Sequence, residues 1–423
     1  MNGTRPSEGP SQTSVRNGPT SGGRVPLSGD RLPASGAWKP GDPSGDRKFH
    51  QFANDRRFVL EGGGELRNVS AAYESWGTPR LGEDGSVANA VLICHALTGE
   101  SHAAGRTGPG HPAPGWWADV IGPGRAFDTN DVFVVCVNVL GGCQGSTGPA
   151  SIDAATGVPY GPSFPVVTIR DMVRAQAAVA DHLGVARWQA VVGGSMGGMQ
   201  VLEWAVMYPG RVRSFIAIAT CAAATAQQIA FSSVQRSTVA LDPGWRDGWY
   251  YDADPGEGPH HGLALARELA QVTYRSEQVF AERFGRQLIA PSDRLELWQR
   301  FEVEGYLDYH GAKLCRRFDA NSYLTIAKAM DLHDLSRGRG GMERALGRIT
   351  APGLTVSINT DGLYLPYQQH QLRDGLRRLG KVCAHAEIDS PHGHDAFLLE
   401  HEQVAHIVND FFVSLNASPG DLS

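Results

Sequence analysis

No stretch of this 423-residue chain approaches the roughly 20 uncharged apolar residues that a membrane-crossing helix requires. The N-terminus also lacks the basic-then-apolar layout of a secretory signal, so the expectation is a soluble, cytoplasmic protein. Basic residues are not in excess: 38 Lys and Arg face 44 Asp and Glu, a net charge of -6, which leaves no field for phosphate backbones or anionic membranes. Nucleic acid and membrane partners are therefore not expected. Cysteine is sparse, with six residues at 94, 136, 143, 221, 315 and 383, and none in C-x-x-C spacing or beside paired histidines. Reduced thiols and no bound metal are expected. Cys94 and Cys136 read as buried structural thiols, and Cys143 as a small filler in a glycine turn.

With 41% apolar and 19% charged residues, the chain can build a large core carrying an elaboration. Residues 1–46 are the exception. Gly, Pro and Ser dominate them, and such a composition cannot offset the entropy of ordering, so a disordered tail is expected there and a short C-terminal tail at 416–423. From "RRFVLEGGGELRNVSAAYESWG" onward, short β-rich runs with turn signals read as an opening antiparallel hairpin or meander.

Apolar runs at 89–99, 131–142, 188–195 and 214–220 are nearly continuous, as in strands covered on both faces. Helical stretches at 168–184 and 196–210 alternate with them, and two further strands are expected at 353–361 and 384–390 with a helix between. This pattern predicts an α/β fold with a mostly parallel sheet flanked by helices. Its core spans 47–220 and 341–415. Residues 221–340 differ in texture, with helical stretches such as "HGLALARELAQVTYRSEQVFAERFG" and "LELWQRFEVEGYLDYHGAKLCRRF", and read as an inserted helical lid.

The stretch "VVGGSMGGMQVLEWA" places Ser195 in G-x-S-x-G between a strand-like and a helix-like run. That is the setting of a nucleophile elbow, in which flanking glycines relieve a strained turn and expose the hydroxyl. An idle serine in a glycine-rich turn fits the motif equally well, so partners must decide. A serine hydroxyl becomes a nucleophile when a histidine takes its proton and a carboxylate orients that histidine. In chain order the acid comes next, at the end of a late strand, where Asp361 falls. A turn-forming aspartate is the plainer reading, and Asp389 is a rival that lies close in sequence to the histidines. "SPHGHDAFLLE" offers His392 and His394 in a loop, and Gly393 with a helix start at Asp395 favours His394. A helix-capping or surface histidine is the alternative. The N–H groups expected to receive a developing oxyanion are those of Met196, after the nucleophile, and Leu97, after an early strand.

The stretches "CHALTGESH", "NVLGGCQGSTGP", "VVGGSMGGMQVLEWA", "TYRSE", "DGLYLPYQQ" and "GHDAFLLE" together resemble the homoserine O-acetyltransferase family of the α/β-hydrolase superfamily, over about residues 55 to 412. The resemblance implies an α/β-hydrolase fold, a triad of Ser195, Asp361 and His394, and oxyanion donors at Leu97 and Met196. It also implies a lid that mediates a homodimer. Acetyl-CoA would be the acyl donor, L-homoserine the acceptor, and no cofactor would be bound. By the same resemblance, Arg267 and Asp395 grip the amino-acid moiety. On a helix, Leu263, Ala266, Arg267, Ala270 and Tyr274 share a face, so the Arg267 guanidinium emerges among small and apolar neighbours. An arginine whose stem packs while its head reaches water is the alternative, and Asp395 equally suits a helix N-terminus. One departure is His392, where many relatives are expected to carry tyrosine.

Three other readings stay open on the sequence. A succinyl donor or a serine acceptor would keep the mechanism, an esterase or thioesterase would use water, and an interaction protein on a decayed hydrolase scaffold would have no chemistry.

Overall fold

Eight strands form one sheet: β1 (Lys48–Phe52), β2 (Val69–Trp76), β3 (Ala90–Cys94), β4 (Phe133–Val137), β5 (Ala190–Gly194), β6 (Phe215–Ile218), β7 (Gly353–Ile358) and β8 (Cys383–Ile388). Their spatial order is β1-β2-β4-β3-β5-β6-β7-β8. The computed structural model describes residues 32–291 and 294–416. β2 pairs antiparallel with both β1 and β4, and the remaining neighbours pair parallel. β3 lies between β4 and β5, so successive connections leave it on opposite sides. The crevice at the carboxyl ends of β3 and β5 is thus the place where an α/β sheet accepts a ligand. The expected opening hairpin is present as a short ribbon, Phe58–Val59 against Glu65–Leu66.

The apolar runs became strands because both faces are covered, and the pleat sorts them. Ala90, Leu92 and Cys94 of β3 join one core with Val173 of α1 (Ile169–His182), Trp204 of α2 (Met196–Met207) and Leu376 of α9 (Pro366–Arg378). Val91 and Ile93 point the other way, into a core with Trp117 and with Val404, Val408 and Phe411 of α10 (His401–Asn416). Each large side chain so buried contributes about 1.5–3 kcal/mol. α1 begins at a capping box in which Thr168 and Asp171 satisfy each other's backbone N–H.

Between β6 and β7 the chain runs through α3 (Ala226–Ala240), α4 (His260–Tyr274), α5 (Glu277–Phe284), α6 (Glu302–Cys315) and α7 (Ala320–Asp331), then α8 (Met342–Gly347). α4 packs between α3 and α6. The stretch from Leu295 was expected to be helical throughout, but α6 starts only at Glu302. Glu304 accepts the Phe301 N–H there and sets the helix end, while Leu295 and Leu297 stay exposed. No described helix is long and apolar enough to cross a membrane.

The expected tail divides. Residues 1–31 and 417–423 lie outside the described residues, but 32–37 pack against the inserted segment, contrary to the composition-based expectation, while 39–46 are mostly exposed. Leu32 and Ala37 are buried, Ser35 Oγ donates to Asp319 Oδ1 at 2.8 Å, and the Gly36 N–H donates to the Phe318 carbonyl. A Cβ on Gly36 would stand 2.6 Å from the Phe318 backbone nitrogen. Composition misled because this segment needs no core of its own. It docks on a surface already formed, and its small residues permit the close approach.

Candidate active site

Ser195 directly follows β5 and stands at the N-cap of α2 with φ 59° and ψ −124°. This is left-handed backbone that a non-glycine residue adopts at a cost of order 1–3 kcal/mol. The strain is held by hydrogen bonds on both sides: the Ser195 N–H donates to the Ile218 carbonyl at 2.9 Å, and Thr220 Oγ1 donates to the Ser195 carbonyl at 2.9 Å. The flanking glycines have a steric cause. A Cβ on Gly197 would lie 2.1 Å from the Cys94 carbonyl oxygen, and one on Gly193 would lie 2.7 Å from the same atom. The elbow therefore sits pressed against the end of β3. An N-cap serine ordinarily turns its hydroxyl back to an N–H of the first turn, for about 1 kcal/mol. Ser195 makes no such bond, so its hydroxyl is left for other work.

Asp361 follows β7 and is fully buried. Its Oδ1 accepts the N–H groups of Leu363 (2.8 Å) and Tyr364 (2.9 Å), which fixes the carboxylate and leaves Oδ2 facing His394 Nδ1 at 2.7 Å. With a carboxylate as its acceptor, Nδ1 carries the proton and Nε2 is the basic nitrogen. Burial pulls the His394 pKa down. The Asp361 charge and hydrogen bond, followed by the charge of Asp395, push it up, and the balance lies above the ordinary value. The rings of Tyr274 and Tyr364 flank the imidazole, at 5.7 and 5.1 Å between centroids. The rivals fall elsewhere: Asp389 is exposed and bonds to Asn359 and Gln403, and the His392 N–H bonds to Ser390. His394 lies in a short 3-10 helix, Gly393–Leu398, rather than ahead of a helix starting at Asp395.

Leu97 and Met196 are buried, and Leu97 lines a small cleft together with Tyr274, Leu363 and Tyr364. The loop carrying Leu97 is held by groups that sequence reasoning did not single out. Gln200 Nε2 donates to the His95 carbonyl and Arg317 Nη2 to the Thr98 carbonyl. Ser101 Oγ donates to Glu74, while Asn138 Oδ1 accepts the Ser101 N–H. Arg47, almost wholly buried, pairs with Glu100. Burial holds the His95 pKa down at about 4, so the ring is neutral, bonded to the Ala96 carbonyl through Nδ1 and accepting the Val139 N–H at Nε2. The only sequence signal for this network was the polar run Glu100-Ser101-His102 directly after an apolar strand.

Arg267 extends from α4 to within 3.5 Å of Thr98 Oγ1, with its guanidinium carbon 5.3 Å from the Tyr274 ring. Asp395 sits beside His394 and pairs with Arg275, Nη2 to Oδ2, at 3.2 Å. That partner was not foreseen. All six cysteines are buried and unpaired, and burial pushes the Cys143 thiol pKa up, which leaves it an inert filler.

No metal was expected, yet the fold gathers Glu74, His102 and His111, all buried, with potential ligand atoms within 4.8 Å of one another. The two imidazole rings stack at 3.7 Å and 8°. Nitrogen lone pairs lie in the ring plane, so an ion in the plane of one ring stands off the plane of the other. Glu74 is instead engaged by the Ser101 hydroxyl and by His102 Nδ1 at 2.8 Å. The arrangement is that of a hydrogen-bonded carboxylate.

A serine on a strained elbow and a histidine paired with a carboxylate, each just past the carboxyl end of a parallel strand, are the features of an α/β-hydrolase site. The family model described as alpha/beta hydrolase fold matches residues 89–400. The chain is 50% identical over 374 residues to the homoserine O-acetyltransferase of Thermobifida fusca (strain YX), an alignment covering 88% of this chain and 96% of that one. It is also 50% identical over 356 residues to that of Moorella thermoacetica (strain ATCC 39073 / JCM 9320), covering 84% and 93%. The chain belongs to the homoserine O-acetyltransferase family, a group of acyltransferases. Among solved structures, homoserine O-acetyltransferase from Bacillus anthracis superposes with a TM-score of 0.79 at 30% identity, covering 86% of this chain and 96% of that one. Esterase E22 superposes with 0.78 at 30%, covering 86% and 99%.

Proposed function

We propose that the chain transfers an acetyl group from acetyl-CoA to the side-chain hydroxyl of L-homoserine through an acetyl-Ser195 intermediate, a step of methionine biosynthesis. The observation that carries this reading is the uncapped Ser195 hydroxyl on the same sheet edge as the Asp361–His394 pair. His394 Nε2 takes the Ser195 proton as Oγ attacks the thioester carbonyl. The N–H groups of Leu97 and Met196 receive the oxyanion, and collapse expels CoA as its thiol with the proton from His394. The homoserine hydroxyl then gives its proton to His394 and attacks the acetyl carbonyl. Collapse releases O-acetyl-L-homoserine and returns the proton to Ser195. No cofactor takes part.

Water is the competing nucleophile, and esterase E22, with nearly the same fold, gives the hydrolytic reading its weight. Arg267 on the acceptor carboxylate and Asp395 on its ammonium answer that competition. A correctly held hydroxyl can have an effective molarity of about 10⁵ M or more, far above bulk water. Incubation with acetyl-CoA, with and without homoserine, tests this: thiol release should depend on homoserine, and release at the same rate without it would establish a hydrolase. Mass spectrometry of products from mixed acetyl- and succinyl-CoA with homoserine and serine checks the specificity, and O-succinyl or serine products would overturn it.

The enzyme works in the cytoplasm as a homodimer joined through the inserted helices. Ile229 and Val234 of α3 and Val272 of α4 are exposed there and supply apolar surface. Light scattering at micromolar concentration measures the mass.

A further inference from the structure

The turn between α4 and α5 touches the loop bearing His394 at three points. Ser276 Oγ donates to the Pro391 carbonyl. Gly393, at φ +66°, lies so close that a Cβ there would be 2.8 Å from both the Ser276 nitrogen and the Tyr274 carbonyl oxygen. Arg275 pairs with Asp395. This last contact has an unusual form. Arginine and carboxylate usually meet through two parallel hydrogen bonds. Here only Nη2 faces Oδ2, and the buried Arg275 Nε has no partner. The pair meets through Oδ2, which leaves Oδ1 for another partner. Tyr274, the residue before Arg275, lies 5.3 Å from the Arg267 guanidinium carbon and 5.7 Å from the ring of His394, the neighbour of Asp395.

We infer that Arg275 is a positioning residue for acceptor recognition: it anchors Asp395 through one carboxylate oxygen so that the other is presented to the α-ammonium of the amino-acid acceptor. This rests on the reading of Asp395 as the ammonium contact. Arg275 itself touches no reacting atom. Because its anchor is the end of α4, which also carries Arg267, one helix sets the positions of both grips on the acceptor.

The test compares homoserine with 4-hydroxybutyrate, which has the same hydroxyl and carboxylate and lacks only the ammonium. The ratio of kcat/KM for the two acceptors reports the ammonium contact alone. It is measured in the full-length enzyme, in Arg275→Gln and in Arg275→Lys. In Arg275→Gln the ratio should fall about tenfold to a hundredfold, the worth of a misaligned charge-assisted hydrogen bond. Arg275→Lys, which keeps the charge but not the planar fork, should recover part of it. Should Arg275→Gln not fold, the Lys variant against the wild type makes the same comparison. A structural role would depress both acceptors by the same factor, and that result, or an unchanged ratio, overturns the inference. Wild-type enzyme that transfers acetyl to homoserine without preferring it over 4-hydroxybutyrate would overturn the Asp395 assignment. Wild-type enzyme that acylates neither would overturn the acyltransferase reading instead.

Discussion

His394 Nδ1 and Asp361 Oδ2 stand 2.7 Å apart with both side chains almost wholly shielded from solvent, and the Asp361 oxygen that does not face the imidazole is tied to two backbone N–H groups. The carboxylate is thus fixed before any substrate arrives, and the imidazole is oriented by it.

That pairing predicts a pH profile. The base must be neutral to accept a proton, and its pKa is raised by Asp361 against the pull of burial. Activity should therefore rise with pH along an acid limb set above the ordinary histidine value of about 6.5. In Asp361→Asn burial, the largest influence, is opposed only by the Asp395 charge, so the limb moves down while turnover falls by about 10⁴-fold, as the proton settles on the wrong nitrogen. A limb that stays in place would show that another group titrates.

Ser195→Ala removes the nucleophile while leaving a backbone that already tolerates a Cβ at positive φ. Turnover should drop by about 10⁴-fold or more, and the acetyl adduct expected on the wild-type protein incubated with acetyl-CoA alone should be absent from the variant by mass spectrometry. An adduct persisting on the variant would place the nucleophile elsewhere.

Arg267→Ala should raise KM for homoserine by about tenfold to a hundredfold, the range of a lost charged hydrogen bond. The rate of enzyme acetylation should change far less. A reverse pattern, in which acetylation suffers more, would assign the guanidinium to the donor half of the reaction.

Deleting residues 1–46 removes the Leu32 and Ala37 contacts and the Ser35 hydroxyl from Asp319, which also accepts from Tyr250 and caps α7 through Ser322. The loss should be about 2–5 kcal/mol of unfolding free energy, read from urea titration against the full chain. An unchanged midpoint would mean that this segment only lies on the surface.

Treatment with a chelator should leave turnover unaltered, because the stacked rings of His102 and His111 do not converge on one ion. Glu74→Ala, by contrast, should cost about 3–5 kcal/mol by leaving buried partners unsatisfied. Loss of activity on chelation, restored by zinc, would make the trio a metal site.

The sequence by itself determined what depends on neighbours in the chain. Apolar runs of strand length alternating with helical periods set a mostly parallel sheet, and glycines two residues either side of Ser195 marked the elbow, because only a missing Cβ lets that turn approach Cys94. The order of serine, aspartate and histidine was legible for the same reason: each ends or follows a strand. Tertiary structure decided everything that depends on which strand end faces which. It brought the Asp361 carboxylate onto His394 Nδ1, since β7 lies beside β8 in parallel register, and left Asp389 exposed. Docking onto the inserted segment packs residues 32–37 despite their composition, and the meeting of α4 with the His394 loop gave Asp395 its partner in Arg275. Such contacts join residues more than a hundred positions apart, and no local period or spacing encodes them.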